Sequence, residues 1–229
     1  RNNEIIGIIT AQDVVEAGDD EMGEDYAKLA GLTAEEDLQE TTAQSIKKRL
    51  PWLVILLVLG MGVSAVVGAF ENVVAILPIV ICFQSLILDM AGNVGTQSLA
   101  VTIRVLMDEE LTPKDKLKLV FKEAKVGFSN GFLLGILAVI FLGLYVFLYK
   151  GYDIKHGFLI SLCVGVSLFL SMIVSSLVGT LVPIFFKKIK VDPAVASGPL
   201  ITTVNDLVAV VIYYGLAWVF LIQTIHIVG

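Results

Sequence analysis

Five long apolar stretches dominate the chain, at about 51–70, 73–107, 126–149, 158–186 and 195–222. Each reaches the length of about 20 residues that a helix needs to cross a bilayer. The pattern therefore predicts an all-α membrane protein with five transmembrane helices over 51–229. The second stretch, at 35 residues, is too long for an upright crossing and carries Gly92 and Gly95 near its middle. A tilted, kinked or partly unwound element is expected there.

The first 50 residues alternate differently. Ile5 to Thr10 reads as a short strand, and an amphipathic segment starts at Ala11. Five acids in seven residues, Asp19 to Asp25, read as a solvated linker that ends at a Gly31-Leu32 break. Thr33 followed by Glu36 has capping-box spacing, which predicts a helix running through Ile46 toward Lys47, Lys48 and Arg49. Pro51 is placed to open the first span, where its missing N–H costs nothing.

Composition agrees with a membrane body. The 229 residues are 56% hydrophobic, above the roughly 45–50% of soluble domains, and mean hydropathy is +0.86. Charge is split along the chain: residues 1–45 hold twelve acids against Arg1 and Lys28, while the remainder is mildly basic. With five spans, one side carries Lys47, Lys48, Arg49, Arg104, Lys114, Lys116, Lys118, Lys122, Lys125, Lys187, Lys188 and Lys190; the other carries only Lys150 and Lys155. The positive-inside rule then puts the N-terminus in the cytosol and the C-terminus outside a cell membrane. Cys82 and Cys163 lack metal or redox spacing and read as packing residues. The start at Arg1, without a signal sequence, suggests part of a longer protein. No Walker motif or nucleotide site is present, so neither an enzyme nor a nucleic-acid partner is expected.

Small residues recur every fourth position in three rows: Gly60-Ser64-Gly68, Gly127-Gly131-Gly135 and Ser167-Ser171-Ser175-Gly179. Such rows let helices pack closely in lipid; a serine-lined pore is the competing reading for the last. The chemistry lies elsewhere. Asp89, Gly92, Asn93, Thr96, Gln97 and Arg104 share one helical face of the second span. On the fifth span Gly198, Thr202 and Asp206 share a face, with Thr203 and Asn205 beside it. A polar stripe of that length cannot face lipid, and an acid at membrane depth marks a functional site by default. For Asp89 a structural pairing with Arg104 stays open, as does a core role for Asp206. The donors are all oxygen, since His156 and His226 lie near span ends, and such a set suits a hard cation, Mg²⁺ or Ca²⁺. Few carboxylates among amide and carbonyl acceptors fit a hydrated Mg²⁺ better than Ca²⁺.

MAGNVGTQSLAVTIR (90–104) and DPAVASGPLITTVNDL (192–207), in order on the second and fifth spans, resemble the two signature stretches of the MgtE family of magnesium channels. Residues 1–18 look like the closing strand and helix of a CBS domain. The resemblance implies a homodimer in membrane lipid whose ion path follows the two-fold axis, lined by the second and fifth spans of both copies. It makes Asp206 the ion-selecting carboxylate and Mg²⁺ the transported, site-bound ion. It adds Gly92, Asn93, Gly95 and Gln97 from a GNxGxQ turn, and Gly198 and Thr202 beyond; Gly198 has no side chain to offer. Asp89, Thr96, Thr203 and Asn205 are secondary or pore-lining. It further implies missing N-terminal and CBS sensor domains, a connecting helix over 33–50 that plugs the pore, and a regulatory remnant in Glu16, Asp19, Asp20, Glu21, Glu24 and Asp25. The chain thus divides into 1–18, an acidic linker and plug helix at 19–50, and the conducting domain at 51–229. A proton- or sodium-coupled carrier, or a preference for Co²⁺ or Mn²⁺, is the alternative.

Overall fold

The computed structural model describes residues 7–32, 39–107 and 111–224, with side chains up to 221. Among these residues five helices are long and apolar enough to cross a membrane, as the hydropathy pattern predicts.

The acidic head departs from expectation. Thr10 and Asp13 form a capping box, with Asp13 Oδ2 accepting from the Thr10 N–H at 2.7 Å and Thr10 Oγ1 accepting from the Asp13 N–H at 3.2 Å. From it helix α1 runs over Ala11–Leu29, straight through the acids read as a linker. Most of these carboxylates are exposed, so water screens their mutual repulsion, and Lys28 pairs with Glu24 one turn away at 3.4 Å. The helix ends at the anticipated break. Gly31 takes φ +83°, its N–H bonds Lys28 O, and the Leu32 N–H reaches back to Ala27 O, the two bonds of a Schellman motif. The expected strand over Ile5 to Thr10 falls partly outside the described residues, and 7–10 are irregular. Thr33 and Glu36 also lie outside them.

The next helix starts at Thr41, where the Gln44 side chain accepts from the Thr41 N–H at 2.9 Å. Helix α2 then extends over Thr42–Ala69 with Pro51 in its interior. Residues 42–50 are therefore the first turns of the first span, not a separate helix, and Pro51 does not open it. Proline leaves the Lys47 carbonyl without its helical donor, a small loss at the polar end of a span where water can reach it. Lys48 pairs with Glu40 beside it.

The second apolar stretch breaks early. Helix α3 covers Glu71–Ile76, Leu77 leaves helical geometry at φ −132° and ψ 75°, and a 3₁₀ turn covers Pro78–Val80. A residue before proline is pushed out of the α region, so Pro78 sets the break. Helix α4, Ile81–Leu106, then continues unbroken through Gly92 and Gly95, so the expected mid-span unwinding is absent. Lys187 Nζ donates to Leu106 O and closes the far end of α4.

Two long helices follow: α5 at Pro113–Tyr149, capped by Thr112 and Asp115, and α6 at Ile154–Lys188, capped by Asp153. The 3₁₀ turn Pro193–Val195 leads to α7, Gly198–Leu216, which continues as π-helical turns over Ala217–Thr224. Helix α6 lies between α5 and α4, and α7 packs on both α4 and α6. Helix α2 leans mainly on α7 and buries no residue fully. Tyr213 and Tyr214 are the largest fully buried side chains; their hydroxyls donate to Val80 O at 2.7 Å and Gln84 Oε1 at 2.6 Å, fixing α7 to the start of α4.

Small residues make these seams possible. A Cβ added at Gly127 would lie 2.7 Å from Ser176 Cβ, and one at Gly131 or Gly135 would lie 2.9 Å from a backbone carbonyl of α6. The serine row of α6 is buried and packs rather than lining a channel: Ser167 donates to its own helix at Cys163 O, 2.7 Å, and a Cβ on Gly179 would lie 2.2 Å from Gly95 O. The Gly60-Ser64-Gly68 row has no close packing partner among the described residues, since a Cβ on Gly60 or Gly68 has no neighbour there within 4 Å. Cys163 is core, whereas Cys82 is exposed. One residue joins three helices: Ser98 of α4 donates to the Glu123 carboxylate of α5 at Oε2, 3.0 Å, and Ser176 of α6 donates to the Glu123 backbone carbonyl at 2.7 Å.

Gly179→Ala forces α4 and α6 apart and should destabilise the protein by about 1–3 kcal/mol, whereas Gly60→Ala should be close to neutral. Thermal unfolding of the two purified variants in detergent separates the cases.

Candidate functional site

Helices α4 and α7 run antiparallel in contact. A Cβ on Gly92 would lie 3.0 Å from Thr202 Cγ2, and one on Gly198 would lie 3.7 Å from Thr96 Cγ2. With Gly95 beside Ile201 and Asn205 in the same seam, these contacts set Asp206 opposite the 88–94 stretch of α4, near the level of Asp89.

On that depth scale the polar face of α4 is open. Asp89, Asn93, Gln97 and Arg104 are exposed and Thr96 is half-buried, one above another along the helix. Thr202, Thr203 and Asp206 of α7 are half-buried beside it. Thr96 Oγ1 donates to Asn93 O and Thr203 Oγ1 to Pro199 O, each at 2.9 Å. With their protons held by the backbone, these hydroxyls present lone pairs outward, and the face is rich in acceptors. Asp89 and Arg104 are fifteen residues apart on one helix, about 22 Å at 1.5 Å per residue, which removes the pairing between them.

Two groups of candidates are placed differently from the sequence expectation. Gly92 and Gly95 are buried helical positions, not a turn with open carbonyls. Their role is contact: a Cβ on Gly95 would collide with Asn205 Nδ2 at 1.8 Å. Asn205 is fully buried against that glycine with neither amide atom paired, so it faces the α4 seam rather than the open face. Gly198 lies at the start of α7, half-buried under Leu29 O, 3.5 Å from its added Cβ. Among the described residues no three His, Cys, Asp or Glu side chains cluster as a metal cage. An ion on this face would meet at most two carboxylates and a row of neutral oxygens.

The acids of α1 lie at the end of that face. Glu21, Glu24 and Asp25 line a cavity of about 570 Å³ with Asp192, Lys28 and Lys187; Glu16, Asp19 and Asp20 are exposed outside it. Lys28 Nζ sits 2.8 Å from Asp192 Oδ2. Burial opposes the charge of Asp192, yet the Lys28 hydrogen bond and the Ala194 N–H hold its carboxyl below the usual range. Burial and the neighbouring Asp192 push Asp25 upward, with Lys28 opposing them.

A junction that sequence reasoning missed completes this end. Trp52 Nε1 of α2 donates to Ser197 Oγ, the N-cap of α7, at 3.0 Å, and Gly31 lies against the same indole, 2.5 Å from its added Cβ to Trp52 Cδ1. Only glycine can pass there, and its positive φ requires it as well. The helix docked over the entrance of α7 is thus α1, whereas the segment expected to do so, 33–50, is outside the described residues up to 38 and part of α2 from 42.

The pairing of 90–104 with 192–207 across one seam is the arrangement to compare with known proteins. A family model described as MgtE, divalent cation transporter, matches residues 84–216, more than half of the chain and both polar helices. The chain belongs to the MgtE family. It is 35% identical over 220 residues to "Magnesium transporter MgtE" of Bacillus subtilis, covering 96% of this chain and 47% of that one. The protein of the same name from Enterococcus faecalis is 36% identical, covering 96% and 46%, and that from Thermus thermophilus 33%, covering 93% and 46%. The chain spans about half the length of these curated relatives.

The Lys28–Asp192 pair is roughly a third exposed and is worth well under 1 kcal/mol after screening. Lys28→Ala should loosen α1 by a factor of two to three, read as faster proteolysis near Gly31. Because the Asp192 carboxyl is held low, its contribution is present above the ordinary carboxylate range and fades as pH falls through the lowered value; protection in the parent should decline there, and that of Lys28→Ala should not.

Proposed function

We propose that this chain is the membrane part of a magnesium transporter, passing largely hydrated Mg²⁺ along a seam between two copies of itself. The observation that carries the reading is the open acceptor face of α4 and α7, with Asp206 near the level of Asp89 in otherwise apolar helices. Lipid cannot cover such a face; a second copy presenting the same face, with water and a cation between, can. Two opposed carboxylates suit a divalent ion, and the scarcity of further acids suits one that keeps most of its water. The magnesium transporters among its relatives supply the identity of the ion.

In this reading Asp206 attracts and selects the ion. Asn93, Gln97, Thr96 and Thr202 accept hydrogen bonds from its water shell, and Asp89 strengthens the field near the same level. Gly92, Gly95 and Asn205 act indirectly by letting α4 and α7 touch. The membrane potential drives conduction, at about 2.3 kcal/mol per charge per 100 mV. The lysine distribution puts α1 in the cytosol, where its position over the start of α7 makes it, rather than residues 33–50, the element that closes the path when the full-length protein senses abundant Mg²⁺.

Asp206→Ala should abolish Mg²⁺ rescue of a transport-deficient strain while the purified protein stays folded and dimeric, and Asp89→Asn should reduce uptake only in part. Normal rescue by Asp206→Ala removes this residue from the path. Uptake should track voltage and survive collapse of proton and sodium gradients; dependence on either gradient would mark a coupled carrier. Competition currents with Co²⁺ and Mn²⁺ rank the metals.

A further inference from the structure

Helix α5 is longer than a bilayer is thick, and the excess is chemically distinct. Its 37 residues extend about 55 Å at 1.5 Å per residue, against a hydrocarbon core of about 30 Å. The part free of charged side chains is 126–149, so the turns just before it stand at the level of the lipid headgroups.

On those turns Lys118, Lys122 and Lys125 fall at i, i+4 and i+7, one face of the helix. All three are exposed and line one cavity of about 680 Å³ between α5 and the end of α4 at Val105. The ion pairs of the described residues involve Lys28, Lys48 and His156, and none of these three lysines. Asp115 stands at the rim; its carboxylate accepts from the N–H of Thr112 at 3.1 Å and from the Thr112 hydroxyl, and it lies near enough to Lys118 to interact with its charge. Apolar surface is interleaved with the lysines in the same cavity: Phe121, 61% exposed, lies between Lys118 and Lys122, and Val126, 41% exposed, follows Lys125. One turn further into the span, Ser129 and Asn130 complete the lining with uncharged polar groups.

We propose that this groove binds an anionic phospholipid of the surrounding bilayer, its phosphate held by Lys118, Lys122 and Lys125 and its upper acyl chains against Phe121, Val105 and Val126. Three observations agree. The charge is complementary to a phosphodiester, and basic pockets between transmembrane helices are known headgroup sites. Along the helix the charged lining ends at Lys125 and the lining beyond it is uncharged, as it is in a lipid. The volume lies within the 300–1,000 Å³ common for bound small molecules. A soluble phosphate would use the lysines and leave the apolar floor uncovered; a lipid covers both. Occupancy would also tie the end of α4, the helix of the polar face, to the leaflet beside it.

The test uses the full chain, purified in detergent and titrated with dioleoyl-phosphatidylglycerol, dioleoyl-phosphatidylcholine or inorganic phosphate, with bound lipid counted by native mass spectrometry and stability followed by thermal unfolding. Phosphatidylglycerol should bind at least tenfold more tightly than phosphatidylcholine and raise the unfolding temperature. The combined variant K118Q, K122Q and K125Q should lose at least tenfold in that affinity, while K150Q with K155Q, at the other end of the helix pair, should not. Lys122→Glu, one exposed change, gives the same direction if the triple variant accumulates poorly. Equal binding of the two lipids, equal loss in both lysine variants, or protection by inorganic phosphate alone would each overturn the proposal.

Discussion

Hydrocarbon offers a polar group no partner, and that constraint organises this chain. Every backbone N–H and C=O in the five spans must be satisfied within its own helix or by a neighbour. The structure meets this with long helices, one break, and side chains aimed at free carbonyls: Tyr213 reaches Val80 O beside the break, and Lys187 reaches Leu106 O at the far end of α4. The face left open, along Asp89, Asn93, Gln97 and Asp206, carries polar side chains that lipid cannot satisfy.

Close helix approach is the second consequence of the same constraint. Lipid competes equally with any apolar side chain, so attraction between spans must come from intimate contact and hydrogen bonds. Gly127, Gly131 and Gly135 bring α5 onto α6, while Gly95 and Gly179 bring α4 onto α6 with Asn205 on the opposite side of Gly95. Glu123 adds a hydrogen-bonded node across three helices through Ser98 and Ser176. The polar helix α4 is therefore braced along its buried side, which fixes the positions of the oxygens on its open side.

Much of this was legible in the sequence because the signals are periodic. Hydropathy gave the five spans, the 3.6-residue period gave the stripe of Asp89, Asn93 and Gln97, and the glycine row of α5 read correctly as a seam. Signals that compete locally were misjudged. Gly92 and Gly95 looked like breakers, but inside an apolar span the helix has no alternative donor, so they pack; Pro78, which lacks the N–H itself, makes the break. The acids after Ala11 looked like a linker, yet exposure to water lets α1 form through them. Contacts between remote residues left no local trace: nothing near Trp52 names Ser197, and nothing in the polarity of Asn205 announces that it is buried while its neighbour Asp206 is half open.

Helix α2 behaves unlike the other spans. It is continuous from Thr42 to Ala69 and buries no residue fully; its indole at Trp52 holds Ser197 on one side of the membrane, and Phe70, just past its other end, stacks on Tyr214 with ring centroids 5.7 Å apart. These two contacts stand 18 residues apart, about 27 Å of stiff helix, on which Val63, Val66 and Val67 are only half-buried against the core. A tilt of α2 would therefore be felt at both contacts, beside α1 and beside Tyr214.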